Sequence, residues 1–178
     1  MIQVFVLETD RLSFSDLTQD EAGFILELLN EPAFVRFIGD RGVRTLEDAR
    51  NYLEKGPQAS YQRFGFGLWL VRLKSTQEAL GICGLMKRDS LQDTDIGYAF
   101  LERHWGNGYA GEAALAVRDY ARFNLNLKRL VAVVDPDNTR SIKVLEEIGL
   151  TYERLIRLSS EGMELKLFGW SDENTILT

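Results

Sequence analysis

One cysteine and one histidine among 178 residues remove several chemistries at the outset. Cys83 cannot form an internal disulfide, and its apolar run from Leu80 to Met86 suits a buried, inert thiol. With His104 as the sole histidine there is no zinc-type cluster. A Ser-His-Asp triad would have to use that histidine, and no G-x-S-x-G elbow occurs, which argues against nucleophilic hydrolysis. No apolar run approaches the ~20 residues that cross a bilayer. The N-terminal stretch lacks the basic segment and cleavage site of a signal peptide, so the cytoplasm is the expected location. Net charge is −6 and the basic residues are scattered, so nucleic acid is not expected as the main partner.

What is present describes one globular domain spanning 1–178, with 45% hydrophobic and 27% charged residues. No linker, low-complexity segment or internal repeat interrupts it. Residues 2–15 alternate loosely and predict a strand or two. Thr18 to Glu21 is a capping box, followed by Ala22, Ile25, Leu26, Leu28 and Leu29 at helical spacing. That helix should stop near Pro32, with a short helical piece over 33–38. Thr45 caps a further helix expected to run to about Leu53 and to end at Lys55-Gly56-Pro57. Strands are expected over 64–73, 79–87 and 95–101, joined by polar turns as an antiparallel meander. A helix over 108–123, a strand over 129–134 and a helix over 138–148 follow. Strand–helix–strand implies a parallel crossover between 95–101 and 129–134. Residues 152–158 and 164–168 read as a hairpin. The class is α+β, with a mixed, mostly antiparallel sheet that turns parallel near its middle and is flanked by helices.

The most informative stretch is Trp105-Gly106-Asn107-Gly108-Tyr109-Ala110, between a strand and an Ala-rich helix. Its glycines permit a tight turn and close backbone approach. The helix behind it aims unpaired N–H groups and a positive dipole end at whatever lies in front, a natural seat for a phosphate or pyrophosphate. With Gly111 the pattern G-x-G-x-x-G is met, but the segment lies past mid-chain rather than opening a parallel domain, unlike a dinucleotide unit. No Gly-Lys-Ser/Thr follows, so it is not a P-loop.

In order and spacing the chain resembles the GNAT superfamily of acyl-CoA-dependent N-acyltransferases. Asp95 to Ala110 is similar to that family's central strand and pyrophosphate loop, Q/R-x-x-G-x-G/A, with Trp105 where Gln or Arg is usual. A Trp there, Asn138 to Leu150 and Thr9-Asp10-Arg11-Leu12 resemble the branch that includes ribosomal-protein alanine N-acetyltransferases. The resemblance implies acetyl-CoA as acyl donor, no metal, and a primary amine as acceptor, either a protein or peptide N-terminus or a small molecule. It implies a pyrophosphate seat made by Trp105, Gly106, Asn107, Gly108, Tyr109 and Ala110, and a splayed central strand pair. The pantetheine arm would pair with backbone near Phe100 and Leu101, and a strand-end N–H there would hold the oxyanion. The helices of 18–57 would wall the acceptor side. A homodimer is left open by the exposed final strands.

Two residues are catalytic candidates. Asp95 stands at the family's base position, where Glu is more usual, and reads either as that base or as a strand-end turn residue. Ser141 is implied to lie near the coenzyme sulfur and to donate a hydrogen bond to the leaving thiolate; it also reads as a first-turn serine satisfying backbone. Asn138 is a good N-cap, and the resemblance adds contact with the pantetheine amide. Tyr98 and Phe66 line the acceptor cleft or fill core. A non-catalytic acyl-CoA-binding sensor of the same fold, and a regulatory domain holding ATP or NAD on the glycine loop, are the alternatives.

Overall fold

The N-terminal expectation resolves into two strands, β1 (Phe5–Glu8) and β2 (Leu12–Asp16), in the computed structural model, which describes residues 4–172. Residues 2 and 3 of that expectation lie outside the described residues. The Thr18 capping box forms as anticipated, with the Thr18 N–H donating to Glu21 Oε2 at 2.7 Å. It launches α1 (Ala22–Leu29). Pro32 both ends that helix and occupies the first turn of α2 (Pro32–Phe37), where its missing N–H costs nothing. A second capping box, Thr45 with Asp48, starts α3 (Leu46–Leu53).

The expected stop at Pro57 does not occur. The chain passes through one wide π-type turn, Glu54–Gln58, into α4 (Ala59–Phe64). A proline inside a regular helix would collide with the carbonyl four residues back. The wider turn leaves room for the proline ring, so Pro57 is buried within a helical run that continues rather than ends. α4 closes on Gly65 at φ +76°, a left-handed cap. The predicted strand over 64–73 accordingly begins only at Leu68.

The remaining elements follow the sequence reading: β3 (Leu68–Leu73), β4 (Ala79–Met86), β5 (Asp95–Phe100), α5 (Tyr109–Phe123), β6 (Arg129–Val134), α6 (Thr139–Glu147), β7 (Thr151–Ile156) and β8 (Leu165–Ser171). They form one sheet in the order β1-β2-β3-β4-β5-β6-β8-β7. Every neighbouring pair is antiparallel except β5 and β6. The final hairpin inserts its second strand against β6 and leaves β7 at the edge.

Both faces of the central strands are covered, so these strands read as apolar runs rather than alternating ones. Trp69, Val71, Cys83 and Leu85 pack with Ala113, Ala114 and Val117 of α5 on one face. Leu70 and Ile82 pack with Ile25, Leu28, Phe34 and Leu53 of the helical insertion on the other. Burial pushes the Cys83 thiol well up, in keeping with an inert core side chain.

Between β3 and β4 the backbones approach too closely for any side chain at Gly84. The Leu85 N–H donates to the Gly67 carbonyl at 3.1 Å. A Cβ on Gly84 would overlap that carbonyl and come within 2.8 Å of Leu68 Cα. Gly84→Ala is expected to destabilise the protein by about 1–3 kcal/mol through forced backbone shifts; a urea midpoint unchanged from wild type would contradict this packing.

Candidate active site

β5 and β6 hold together at a single register position, Asp95 opposite Val131, with the Val131 N–H donating to Thr94 O at 3.1 Å. Beyond it the two strands part. On its other edge β5 stays paired to β4, and the Leu101 N–H donates to Leu80 O at 3.0 Å. Backbone groups of a strand alternate between its two edges. The amides of Tyr98 and Phe100 therefore face the opening, while that of Leu101 is already committed. The Phe100 carbonyl is capped by the Trp105 indole N–H at 2.9 Å. The opening leads into a cavity of ≈ 670 Å³ that runs from the glycine loop, past β5, to the insertion helices.

The glycine loop forms one end. After a short 3-10 turn at Glu102–His104, Gly106 and Gly108 adopt φ +82° and +78°, and α5 begins at Tyr109. The amides of that first turn have no intrahelical partners. A residue 101 positions away braces the loop. Arg11, in the β1–β2 turn, donates from Nε to Glu112 Oε2 at 2.7 Å and from its guanidinium to the Asn107 carbonyl at 2.9 Å. Its guanidinium also lies 4.6 Å from the centre of the Tyr109 ring. Thr9 adds a hydroxyl bond to Glu112 Oε1 at 2.6 Å. Burial acts to raise the Glu112 carboxyl, but the Thr9 and Arg11 bonds prevail and hold it below the usual carboxylate range. An acidic side chain in a first turn would otherwise oppose an anion seated there; the clamp neutralises it. Arg140 places a second guanidinium 4.5 Å from the Trp105 ring at the mouth.

The two catalytic candidates fall on opposite faces of β5, because strand side chains alternate. Asp95, Gly97 and Ala99 face the insertion helices; Ile96, Tyr98 and Phe100 face α5 and α6. Asp95 is 1% exposed, and burial pushes its carboxyl up to about 6 against the opposing pull of Arg88. Arg88 Nε donates to its two oxygens at 3.3 and 3.1 Å. On the other face the Tyr98 hydroxyl lies 2.9 Å from Ser141 Oγ and donates to the Ser141 carbonyl at 3.1 Å. Burial raises the Tyr98 phenol, which keeps its proton available as a hydrogen-bond donor. Asn138 caps α6, its side chain accepting from the Ser141 N–H at 3.2 Å.

The cavity thus gathers Asp95 and Ser141 with Phe100 and Asn138, and Trp105, Gly106, Gly108, Tyr109 and Ala110 of the loop. Leu101 and Asn107 are not among its lining residues. Leu101 is fully buried, and Asn107 turns its amide back to the His104 carbonyl at 3.0 Å. Three participants were not assigned from sequence: Tyr98 as the partner of Ser141, Arg88 as the partner of Asp95, and Arg11 as the brace. Thr9-Asp10-Arg11-Leu12 carried the only signal for Arg11; nothing local marks the other two, which meet their partners through the sheet.

A glycine turn ahead of a helix, set beside parting parallel strands in a mixed sheet, is an arrangement this chain shares with acetyltransferases. A family model for the acetyltransferase (GNAT) domain matches residues 11–151, and the chain belongs to that family, as an N-acetyltransferase. It is 35% identical to YkkB of Bacillus subtilis (strain 168) over 85% of this chain and 88% of that protein. The solved acetyltransferase of Agrobacterium tumefaciens str. C58 superposes with a TM-score of 0.80 at 28% identity, covering 97% of this chain and 95% of that one. RimL, a ribosomal L7/L12 α-N-protein acetyltransferase solved in complex with coenzyme A, shares the fold with a TM-score of 0.78 at 16% identity, covering 94% and 97%.

The clamp on the loop has a measurable consequence. Arg11 is 45% exposed, so its bonds to Glu112 are screened and worth about 1 kcal/mol. Arg11→Ala is expected to speed amide hydrogen exchange over residues 106–112 roughly fivefold, with global unfolding little changed. Unaltered exchange in that segment would remove the brace.

Proposed function

We propose that the protein transfers an acetyl group from acetyl-CoA to a primary amine by direct attack of the amine on the thioester. The observation that carries this reading is the single-position pairing of β5 with β6, which leaves the Tyr98 and Phe100 amides facing an open cavity. RimL, with the same fold, was solved holding coenzyme A.

Amides of the Gly106–Ala110 segment and the start of α5 would take the pyrophosphate. The Trp105–Arg140 pair would add positive charge where the family commonly uses Gln or Arg. The pantetheine arm would lie in the strand opening, its amides pairing with the free edge of β5. The Phe100 or Tyr98 N–H would then hold the carbonyl oxygen as negative charge develops, a contribution of about 3 kcal/mol to barrier lowering. The Leu101 amide, given to Leu80, is not available for that role.

The attacking amine must be neutral, and an α-amine has a pKa near 8. Asp95, raised to about 6, is a stronger base than an ordinary aspartate and remains ionised at neutral pH. It would take the proton that the nitrogen sheds. A thiol such as cysteine ionises near 8.5, so the departing sulfur needs a hydrogen bond more than an acid. Ser141, set by Tyr98, would supply that bond.

Thiol release with acetyl-CoA and a panel of amines tests the reaction, with calorimetry for coenzyme binding; a chain that ignores the coenzyme defeats the reading. Because the ionised form of Asp95 is the active one, kcat/KM should climb as pH passes upward through about 6. Asp95→Asn should lower kcat by about 10²–10⁴ and abolish that limb; a limb that survives the substitution places the base elsewhere. Ser141→Ala should reduce kcat about tenfold, with the KM for acetyl-CoA moving less.

A further inference from the structure

The acceptor half of the cavity combines an apolar wall with the Asp95–Arg88 ion pair. Phe34 and Phe37 of α2, Tyr52 of α3, Leu68 of β3 and Met86 of β4 enclose it. Gly97 forms its floor, where an added Cβ would reach within 2.5 Å of Met86 Cε. Asp95 and Arg88 lie together at its end, and Arg88 is 27% exposed on its side chain. Arg88 uses Nε for Asp95 and sets one terminal nitrogen 3.7 Å from Met86 Sδ, which leaves guanidinium donors for a ligand. Arg41 lines the same end and has no carboxylate within ion-pair distance among the described residues.

From this arrangement we infer that the acceptor is a free α-amino acid with an apolar side chain, bound as a zwitterion. The inference rests on the acetyl-transfer reading above. A buried carboxylate beside a guanidinium is complementary to an amine and a carboxylate carried on one carbon: Asp95 faces the nitrogen that will be acylated, and Arg88 faces the acid group. The apolar wall takes the side chain. Two guanidinium groups at this end oppose a polyamine, whose second cation would have to sit beside them. The ≈ 670 Å³ must also admit the acyl donor's arm, which leaves space for a small acceptor.

The test is thiol release by the wild-type protein with acetyl-CoA and L-methionine, L-leucine or L-phenylalanine, each against its amide, its decarboxylated amine and a dipeptide that begins with it. The free amino acid should exceed its amide and its decarboxylated amine by about 10- to 100-fold in kcat/KM, the scale of a hydrogen bond to a charged group. Arg88→Gln should bring that ratio close to one, whatever it does to the absolute rate, and Arg88→Lys should restore part of it. Equal or better turnover of the amide, the decarboxylated amine or the dipeptide overturns the amino-acid assignment and leaves the acetyl-transfer reading standing. No thiol release with any amine overturns both. The wild-type ratio decides the matter alone if Arg88→Gln does not fold.

Discussion

Two parallel strands that bond at Asp95 and Val131 and then separate open the cavity on which the proposed function rests. Buried backbone N–H and C=O groups are almost always paired, and leaving one unpaired in a dry interior costs about 1–3 kcal/mol. An edge of β5 that faces an opening is therefore either wet or awaiting a ligand with its own amides. The neighbouring contacts keep the opening from closing. Trp105 caps the last carbonyl of the strand, β4 holds the opposite edge in full register, and the β6–β8 pairing draws β6 into its own ladder. The parting is built into the sheet, not left over from it.

Strand alternation then divides the chemistry. Asp95 and Tyr98 are three positions apart on β5, so one carboxylate and one hydroxyl pair emerge on opposite sides of the same strand. In the proposed reaction, groups that handle an incoming nitrogen and a departing sulfur would sit on either side of the reacting carbonyl, and a single strand with period two supplies that separation. Burial tunes each side differently. It raises the Asp95 carboxyl toward neutrality while Arg88 keeps it ionisable, and it raises the Tyr98 phenol so that its O–H persists.

The glycine loop depends on the far end of the chain. Gly106 and Gly108 permit the left-handed turns, but the turn is held in place by Arg11 and Thr9 acting on Glu112 and Asn107. Glu112 suits the helix start through the dipole and would repel an anion there. The cation from the β1–β2 turn resolves that conflict, and it ties an N-terminal hairpin to the candidate site.

Local physics made much of this legible in the linear chain. Capping boxes at Thr18 and Thr45, the glycines of 106–108, the small face of α5 and the strand–helix–strand order each act over a few residues, so they announce the elements, the crossover and the loop without reference to the rest of the fold. The same locality explains the misreading at Pro57: a proline reads as a stop, and only the folded chain shows the helix continuing past it through a wide turn with Pro57 buried. Partnerships across the sheet were out of reach for a different reason. Arg88 with Asp95, Tyr98 with Ser141 and Arg11 with Glu112 are set by register and by crossover geometry, which place residues 7 to 101 positions apart within hydrogen-bond distance. The chain alone determined which groups would be present and which elements would carry them. Tertiary structure decided which face each group takes and which partner it meets, because pKa, charge balance and free backbone edges depend on neighbours that local sequence does not contain.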